Sequence, residues 1–353
     1  MLAEQRVDAT ALEHFVEQAF LALGMSAEQA AICADALMQS ELRCHPGQGQ
    51  GVRRLLAYAQ RLEQKSLRLD APFTIDKESP ALALVNANNG LGSVIGHKAM
   101  QLAVRKAKDC GVGMVLVHNS SHFGSAAVHA RIAEQAGCVG LVMTNAGAEM
   151  AAWGGASPVV GTNPWAIAAP TGKGFATVLD IALTTAGKGM MRYLAERQAT
   201  MPLDWALTPE GQETDDPQAA MAGALLGIGQ YKGYGLSFMT DVLTGVLGGG
   251  GFGQAPYSDP QRQDVSHSFL ALDIAWFMPL ETFTARMDAF IDEIKASKLR
   301  PGVQEVFVPG EIEARREQER RSQGVALPLE HIEAFRALAA KYGLESSALD
   351  AVT

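Results

Sequence analysis

Between residues 81 and 181, short apolar runs alternate with amphipathic stretches, and this succession limits the fold more than any other feature of the chain. The segments 81–85, 112–117, 139–144, 166–169 and 177–181 have strand length, whereas 94–110 and 126–136 repeat at helical spacing. Strands that alternate with helices make an α/β middle. A further strand is expected over 268–274.

Both ends read as helices. Ala11, Leu12, Phe15, Ala19, Phe20 and Leu23 recur at three and four within an amphipathic helix over 1–22, and Gly24 stops it. Ser26 with Gln29 is a capping box opening a helix over 27–42, and Arg53 and Arg54 lead a third over 52–65. Near the other end, Phe283, Met287, Phe290, Ile291 and Ile294 form a core-facing stripe on a helix over 280–296. Helices return over 309–344. The expected division is a helical domain from 1–75, with 279–353 returning to it, and an α/β domain over 76–278. The polar segment 193–219 is expected to cross the surface, and 229–235 to be a loop opening an apolar helix over 236–247.

With 48% hydrophobic and 19% charged residues the chain is globular, and its net charge of −9 argues against a nucleic-acid surface. The basic pairs Arg315-Arg316 and Arg320-Arg321 alternate with Glu311, Glu313, Glu317 and Glu319, the pattern of a solvated helix with i,i+4 ion pairs. Four cysteines without a CxxC pair speak against disulfides and a zinc knot, and no metal site is expected. No apolar run reaches membrane-spanning length and the first residues do not read as a signal peptide, so a soluble cytoplasmic protein without membrane partners is expected.

Two segments carry chemistry. In Asn119-Ser120-Ser121-His122-Phe123-Gly124 a histidine stands where a strand hands over to a helix. In Cys44-His45-Pro46-Gly47-Gln48-Gly49-Gln50-Gly51 one histidine and two glutamines lie on a loop between helices. Gly90-Leu91-Gly92 followed by Gly96 invites a Rossmann reading, but the spacing is GxGxxxG. The next strand ends in His118-Asn119, where a ribose-binding carboxylate belongs. A glycine turn needed for tight geometry is the better account.

The ordered series Asn119 to Gly124, Thr144-Asn145-Ala146, Trp153-Gly154-Gly155, Gly161-Thr162-Asn163-Pro164, Gly229-Gln230-Tyr231-Lys232-Gly233-Tyr234-Gly235 and Pro309-Gly310-Glu311 resembles the malate/L-lactate dehydrogenase family, which lacks a Rossmann fold. Ureidoglycolate dehydrogenase, diketogulonate reductase, sulfolactate dehydrogenase and piperideine-2-carboxylate reductase belong to that family. The resemblance implies an α/β fold with a non-Rossmann nicotinamide-binding domain on a largely antiparallel sheet, a helical domain built from both termini, and a homodimer. It implies hydride transfer between NAD or NADP and a small carboxylate, either a 2-oxo acid or a cyclic imine. By the same resemblance, His122 and Asp180 are acid–base residues. His122, Phe123, Gly124, Asp180, Ile181, Ala182, Lys232, Gly233, Pro309, Gly310 and Glu311 lie on the cofactor side. Arg54 matches the arginine that grips the substrate carboxylate, and Thr162 joins the substrate side.

One departure stands out. Where family members carry Asp-Ser-His-Gly, this chain has a longer segment, and Gln48 or Gln50 takes the place of the usual proton-donating histidine. Glutamine orients a carbonyl by hydrogen bonding but does not donate a proton at neutral pH. His122 and His45 remain as acids. An iminium substrate, already protonated, needs less acid, so the sequence leans toward imine reduction. The alternative is a paralogue that binds a dinucleotide or carboxylate without turnover.

Overall fold

The computed structural model describes residues 3–44 and 51–352, so His45, Gln48 and Gln50 lie outside the described residues. The chain begins with β1 (Glu4–Val7), α1 (Ala9–Ala22), α2 (Ala27–Arg43) and α3 (Arg54–Glu63). The expected N-terminal helix is therefore shorter at its start. Asp8 caps α1 by accepting from the Ala11 N–H at 2.8 Å, and the residues before it pair instead with the far end of the chain. The Ser26/Gln29 capping box is present at the head of α2.

The middle contains β2 (Thr74–Glu78), β3 (Leu82–Asn86), α4 (Gly92–Cys110), β4 (Val112–Ser120), α5 (Ala126–Gln135) and β5 (Cys138–Thr144). Next come β6 (Met150–Ala151), β7 (Pro158–Val160), β8 (Trp165–Ala169) and β9 (Thr177–Ile181). The chain continues with α6 (Lys188–Ala195), β10 (Ala206–Leu207), α7 (Pro217–Ala222), β11 (Ala224–Leu225), α8 (Tyr231–Asp241) and β12 (Val265–Asp273). It closes with α9 (Leu280–Lys295), α10 (Glu311–Gln323), β13 (Val325–Pro328) and α11 (Leu329–Tyr342).

The main sheet has seven strands in the order β2-β3-β4-β12-β5-β8-β9, and every neighbouring pair is antiparallel except β3–β4. That parallel pair is joined by α4, a single βαβ unit. Two glycines let the helices lie directly on the strands. A Cβ on Gly113 would meet the Ala103 carbonyl of α4 at 2.0 Å, and one on Gly140 the Ala130 carbonyl of α5 at 2.5 Å. A separate core joins α1, α2 and α3 to β13 and α11 through Phe15, Phe20, Leu37, Leu55, Phe335 and Leu349. Here β1 pairs antiparallel with β13, Val7 opposite Val325.

Several expectations are corrected. The stripe on α9 does not enter the core: Ile291 is its one buried residue, Phe290 is 57% exposed, and Asp288 and Asp292 hold the helix to the β8–β9 turn at Gly172 and Lys173. Periodicity reports a face, not its partner. The 193–219 segment is no simple surface crossing, because its Met201 and Ala206 pack with Met191 and Ala220 in a small core of their own. The 229–235 loop is largely helix. Lys232 and Gly233 lie on the first turn of α8, where a Cβ on Gly233 would strike the Leu183 carbonyl at 2.3 Å. Strand β2 was missed because it is a charged, wholly exposed edge strand with no apolar alternation.

Candidate active site

A cleft of about 800 Å³ opens between the two cores. Arg43, Arg53, Arg54 and His331 line it from the helical side, and Gly124 to Val128, Arg131, Thr162, Asp180 and Ala182 from the sheet side. The head of α6, Gly187 to Met190 with Arg192, completes the wall. Six cationic residues (Arg43, Arg53, Arg54, Arg131, Lys188, Arg192) face three carboxylates (Glu149, Asp180, Glu313). In a chain of net charge −9 this is a local inversion of sign, and such a cleft concentrates anions.

The His122 turn sits at the end of β4, just beside the lining, between Arg54 and Gly124. Its backbone is fixed from below. Phe123 stacks between two buried histidines, with ring centroids 4.4 Å from His267 and 4.7 Å from His129. His267, on the central strand β12, contacts Thr144 Oγ1 at 2.7 Å and Ser120 Oγ at 3.0 Å. Burial drives His267 down to about 3 and His129 to about 4, so both rings are neutral. The Gly90-Leu91-Gly92 turn serves the same place: Gly92 N–H donates to Ser121 Oγ at 3.0 Å, and a Cβ there would meet the Ser121 carbonyl at 2.2 Å.

From the other side α3 presents one stripe at i, i+4 and i+7: Arg54, Tyr58 and Arg61. Tyr58 OH lies 2.9 Å from His122 Nδ1. Gln263 Oε1 accepts from both His122 N–H and Arg61 Nη1, each at 2.8 Å. Burial first, then the charges of Arg54 and Arg61, holds His122 well below the usual histidine range, so it too is neutral in the free protein. Tyr58, not singled out within the helix expected over 52–65, is the neighbour of His122 that the structure adds. Its spacing of four from Arg54 was the available signal.

Asp180 lies at the head of α5, the helix after the His122 turn. Its Oδ2 accepts from Ser125 Oγ at 2.5 Å and from the Ala127 N–H at 3.1 Å, and burial raises its pKa. The other expected positions are more scattered. Phe123 is stacked in the interior, Ile181 pairs with Trp165 at the sheet edge, and Lys232 points outward on α8. The Pro309 carbonyl accepts from Val178 N–H at 3.1 Å, and Gly310 takes φ +87° to cap α10. Glu311 is held by Lys295 at 2.7 Å and Arg315 at 2.6 Å. None of these six lines the cleft, whereas Arg54, Thr162, Gly124, Asp180 and Ala182 do.

Two of the sequence signatures meet underneath. Asn163, at φ +35° and fully buried, accepts from Ala146 N–H at 2.9 Å and donates to the Ser237 carbonyl at 2.9 Å. Asn145 and Asn163 both donate to the Asp241 carboxylate, at 3.2 and 3.3 Å. This network ties α8 to the sheet and presents Thr162 to the cleft. Asp241 could not be picked out beforehand, being one carboxylate in an apolar helix. Among the described residues no group of three or more His, Cys, Asp or Glu could hold a metal ion.

The malate/L-lactate dehydrogenase family model matches residues 7–336. The chain belongs to the malate/L-lactate dehydrogenase family. It is an oxidoreductase of that family. Malate dehydrogenase of Pyrococcus horikoshii is 33% identical over 349 residues, 96% of each chain. Its solved structure superposes with a TM-score of 0.88 over 98% of both chains at 32% identity. A (2R)-3-sulfolactate dehydrogenase (NADP(+)) of Chromohalobacter salexigens is 30% identical, covering 87% of this chain and 90% of its own. A ureidoglycolate dehydrogenase (NAD(+)) of Escherichia coli K12 is 28% identical, covering 91% and 92%. The dehydrogenase fold thus accounts for both cores and for the largely antiparallel sheet within one of them.

Proposed function

We propose that this dehydrogenase interconverts a small 2-hydroxy carboxylate and its 2-oxo acid, with NAD or NADP as partner. The observation that carries the reading is the His122 turn fixed beside Arg54 at the edge of a cationic cleft. The donor set suits a dinucleotide: small residues at Gly124, Ala126, Ala127 and Gly187 expose backbone, and Arg131, Lys188 and Arg192 offer charge for phosphates. When bound, the nicotinamide supplies or accepts the hydride. Arg54 grips the substrate carboxylate in a bidentate geometry, Thr162 hydrogen-bonds to it, and His122 handles the proton on the reacting oxygen. Asp180 holds the head of α5 in place through Ser125 and Ala127. The cofactor-side roles expected for Ile181, Ala182, Lys232, Gly233, Pro309, Gly310 and Glu311 form part of the same proposal.

Surplus positive charge favours a substrate with a second acidic group. Arg53, beside Arg54 in the lining, would meet it, as the malate and sulfolactate relatives' names suggest. A cyclic imino carboxylate is the second reading, favoured by a neutral His122, which is a weaker acid than an imidazolium; the iminium cation, however, would enter a positive cleft. The two cores supply the walls, 1–75 with the returning C-terminal segment on one side and 76–278 on the other. A homodimer follows the same reading, supported by the exposed Phe238, Met239, Val246, Leu247 and Phe252 on and after α8. Four free cysteines suit a reducing cytoplasm, and no helix of the described residues is long and apolar enough to cross a membrane.

The deciding experiment follows absorbance at 340 nm with NADH and NADPH against pyruvate, oxaloacetate, sulfopyruvate, pyrroline-2-carboxylate and piperideine-2-carboxylate. Turnover led by oxaloacetate or sulfopyruvate is expected, with His122→Gln lowering kcat by about 10²–10⁴. Turnover on the imines alone would replace the oxo-acid reading. Cofactor binding without turnover on any acid would turn the assignment to a binding paralogue. Sedimentation analysis checks the dimer.

A further inference from the structure

The usual loop histidine is replaced, His122 is neutral, and a reduced oxygen still needs a proton. The second-sphere geometry of α3 answers this. We infer that Tyr58 selects the Nε2–H form of His122 and stores the proton that His122 delivers to the substrate oxygen. The inference rests on the reading of His122 as the acid–base residue.

The hydrogen bond sets the tautomer. Tyr58 is buried, and its hydroxyl is 2.9 Å from His122 Nδ1. A phenol is the better donor and a neutral imidazole nitrogen the better acceptor, so the O–H donates to Nδ1 and the ring's own proton stays on Nε2. Nε2 is then the nitrogen free to meet substrate, and it meets it as a donor. Turning the ring over would break this bond, and the backbone beneath the ring is held by Gln263, which also accepts from Arg61.

The proton balance closes. As charge builds on the carbonyl oxygen, that oxygen takes the Nε2 proton while Nδ1 takes the proton of Tyr58. The products are the alcohol, a neutral imidazole with its proton now on Nδ1, and a tyrosinate. Solvent then protonates Nε2 while the Nδ1 proton returns to the tyrosinate, which restores both groups. In the oxidative direction the same transfers run backwards. Burial pushes the Tyr58 phenol up to about 12, above any working pH, so the store is full before each turnover. It is still a stronger acid than a simple alcohol, so the transfer runs downhill. The charged and titratable groups around the pair are Arg54 and Arg61 on α3, Cys33 on α2, His267 on β12, and Tyr257. Both arginines favour the transient tyrosinate and oppose an imidazolium. That choice of charges fits a relay through neutral histidine better than a protonated histidine acting alone. Tyr58 does not touch substrate; it is a positioning residue that also holds a proton.

The test uses the full-length protein and Tyr58→Phe, which keeps the ring and removes only the hydroxyl. The first readout needs no turnover: ¹⁵N spectra of histidine-labelled protein, with the His122 signals assigned by their loss in His122→Gln. Wild type is expected to show the Nε2–H form alone and Tyr58→Phe a mixture. The second is kinetic. At pH 7.5 the variant is expected to lose roughly 100-fold in kcat, with carboxylate KM and NADH affinity changed less than about twofold. Its kcat should climb as pH falls toward 5.5, where some imidazolium forms and supplies the proton itself, while wild type stays flat. A merely structural tyrosine would lower activity equally at every pH. An Nδ1–H ring in wild type, or a variant with unchanged tautomer and unchanged pH profile, overturns the inference. Absence of turnover in wild type would sink the proposed reaction but leave the spectra to decide the tautomer.

Discussion

Two helices flank the cleft, and both are rich in arginine: α3, with Arg54 and Arg61, and α10, with Arg315, Arg316, Arg320 and Arg321. On α10 the cations are largely consumed by the chain itself. Arg315 pairs with Glu305 and Glu311, Arg321 with Glu317, and Arg316 and Arg320 donate to the Cys44 carbonyl. On α3 the pattern is different. Arg61 is held by neutral oxygens, Gln263 Oε1 and the Ser66 carbonyl, and Arg54 faces the cleft. On α10 a glutamate four residues away turns Arg315 and Arg321 into scaffold, whereas Arg54 lines the cleft that a ligand would enter.

The sharpest way to break this comparison is to remove one arginine of each kind in turn. Arg54→Met is expected to cost the largest factor, roughly 1000-fold in kcat/KM for a carboxylate substrate, mostly as KM, because two charge-assisted hydrogen bonds vanish. Steady-state kinetics measures it; a loss under tenfold would show that another cation grips the carboxylate. Arg61→Met comes next, about tenfold in kcat with KM little changed, since it acts on His122 only through Gln263. Arg315→Met should leave kcat/KM within about twofold of wild type, because exposed ion pairs contribute little even to stability. A large loss there would erase the distinction between the two helices.

Acid sharpens the same contrast through stability. His129 and His267 have folded values near 4 and 3 against 6.5 for a free histidine, so the unfolded chain binds more protons between about pH 6.5 and these folded values. Their contribution is intact above 6.5 and is lost progressively as pH falls toward 4 and 3. Glu305, held to about 2 by Arg315 and Lys295, keeps its pairs until far more acid. Urea midpoints should therefore decline between pH 6.5 and 5, with the His122 side loosening first. Hydrogen exchange that opened first at α10 would contradict this.

Much of the architecture was readable because local signals agreed with tertiary need. Strand β4 alternates buried and half-exposed residues almost throughout, and α5 is flanked by glycine turns. Where the partner is distant in sequence, the reading ran out. The stripe on α9 looked like core, the first four residues of β1 looked like helix, and neither pattern names what lies opposite. At the site, Arg54, Thr162, Gly124, Asp180 and Ala182 were found by resemblance and do line the cleft. Pro309, Gly310 and Glu311 form a turn beside β9, outside the cleft lining. Tyr58 escaped because a tyrosine on an apolar face looks like packing until a histidine from another element is seen across from it.

The pairing of β1 with β13 has a consequence for the order of assembly. All seven strands of the main sheet have been made by residue 273, so the wall bearing His122 and Asp180 can close while the rest is still being synthesised. The opposite wall cannot. Its core waits for Val325, Phe335 and Leu349, and its first strand waits for Val325 to Pro328. Arg54 and Tyr58 are thus among the earliest residues made and the latest to be locked in place. A chain shortened before β13 would keep a folded sheet and half a cleft, with the substrate grip on a loose arm.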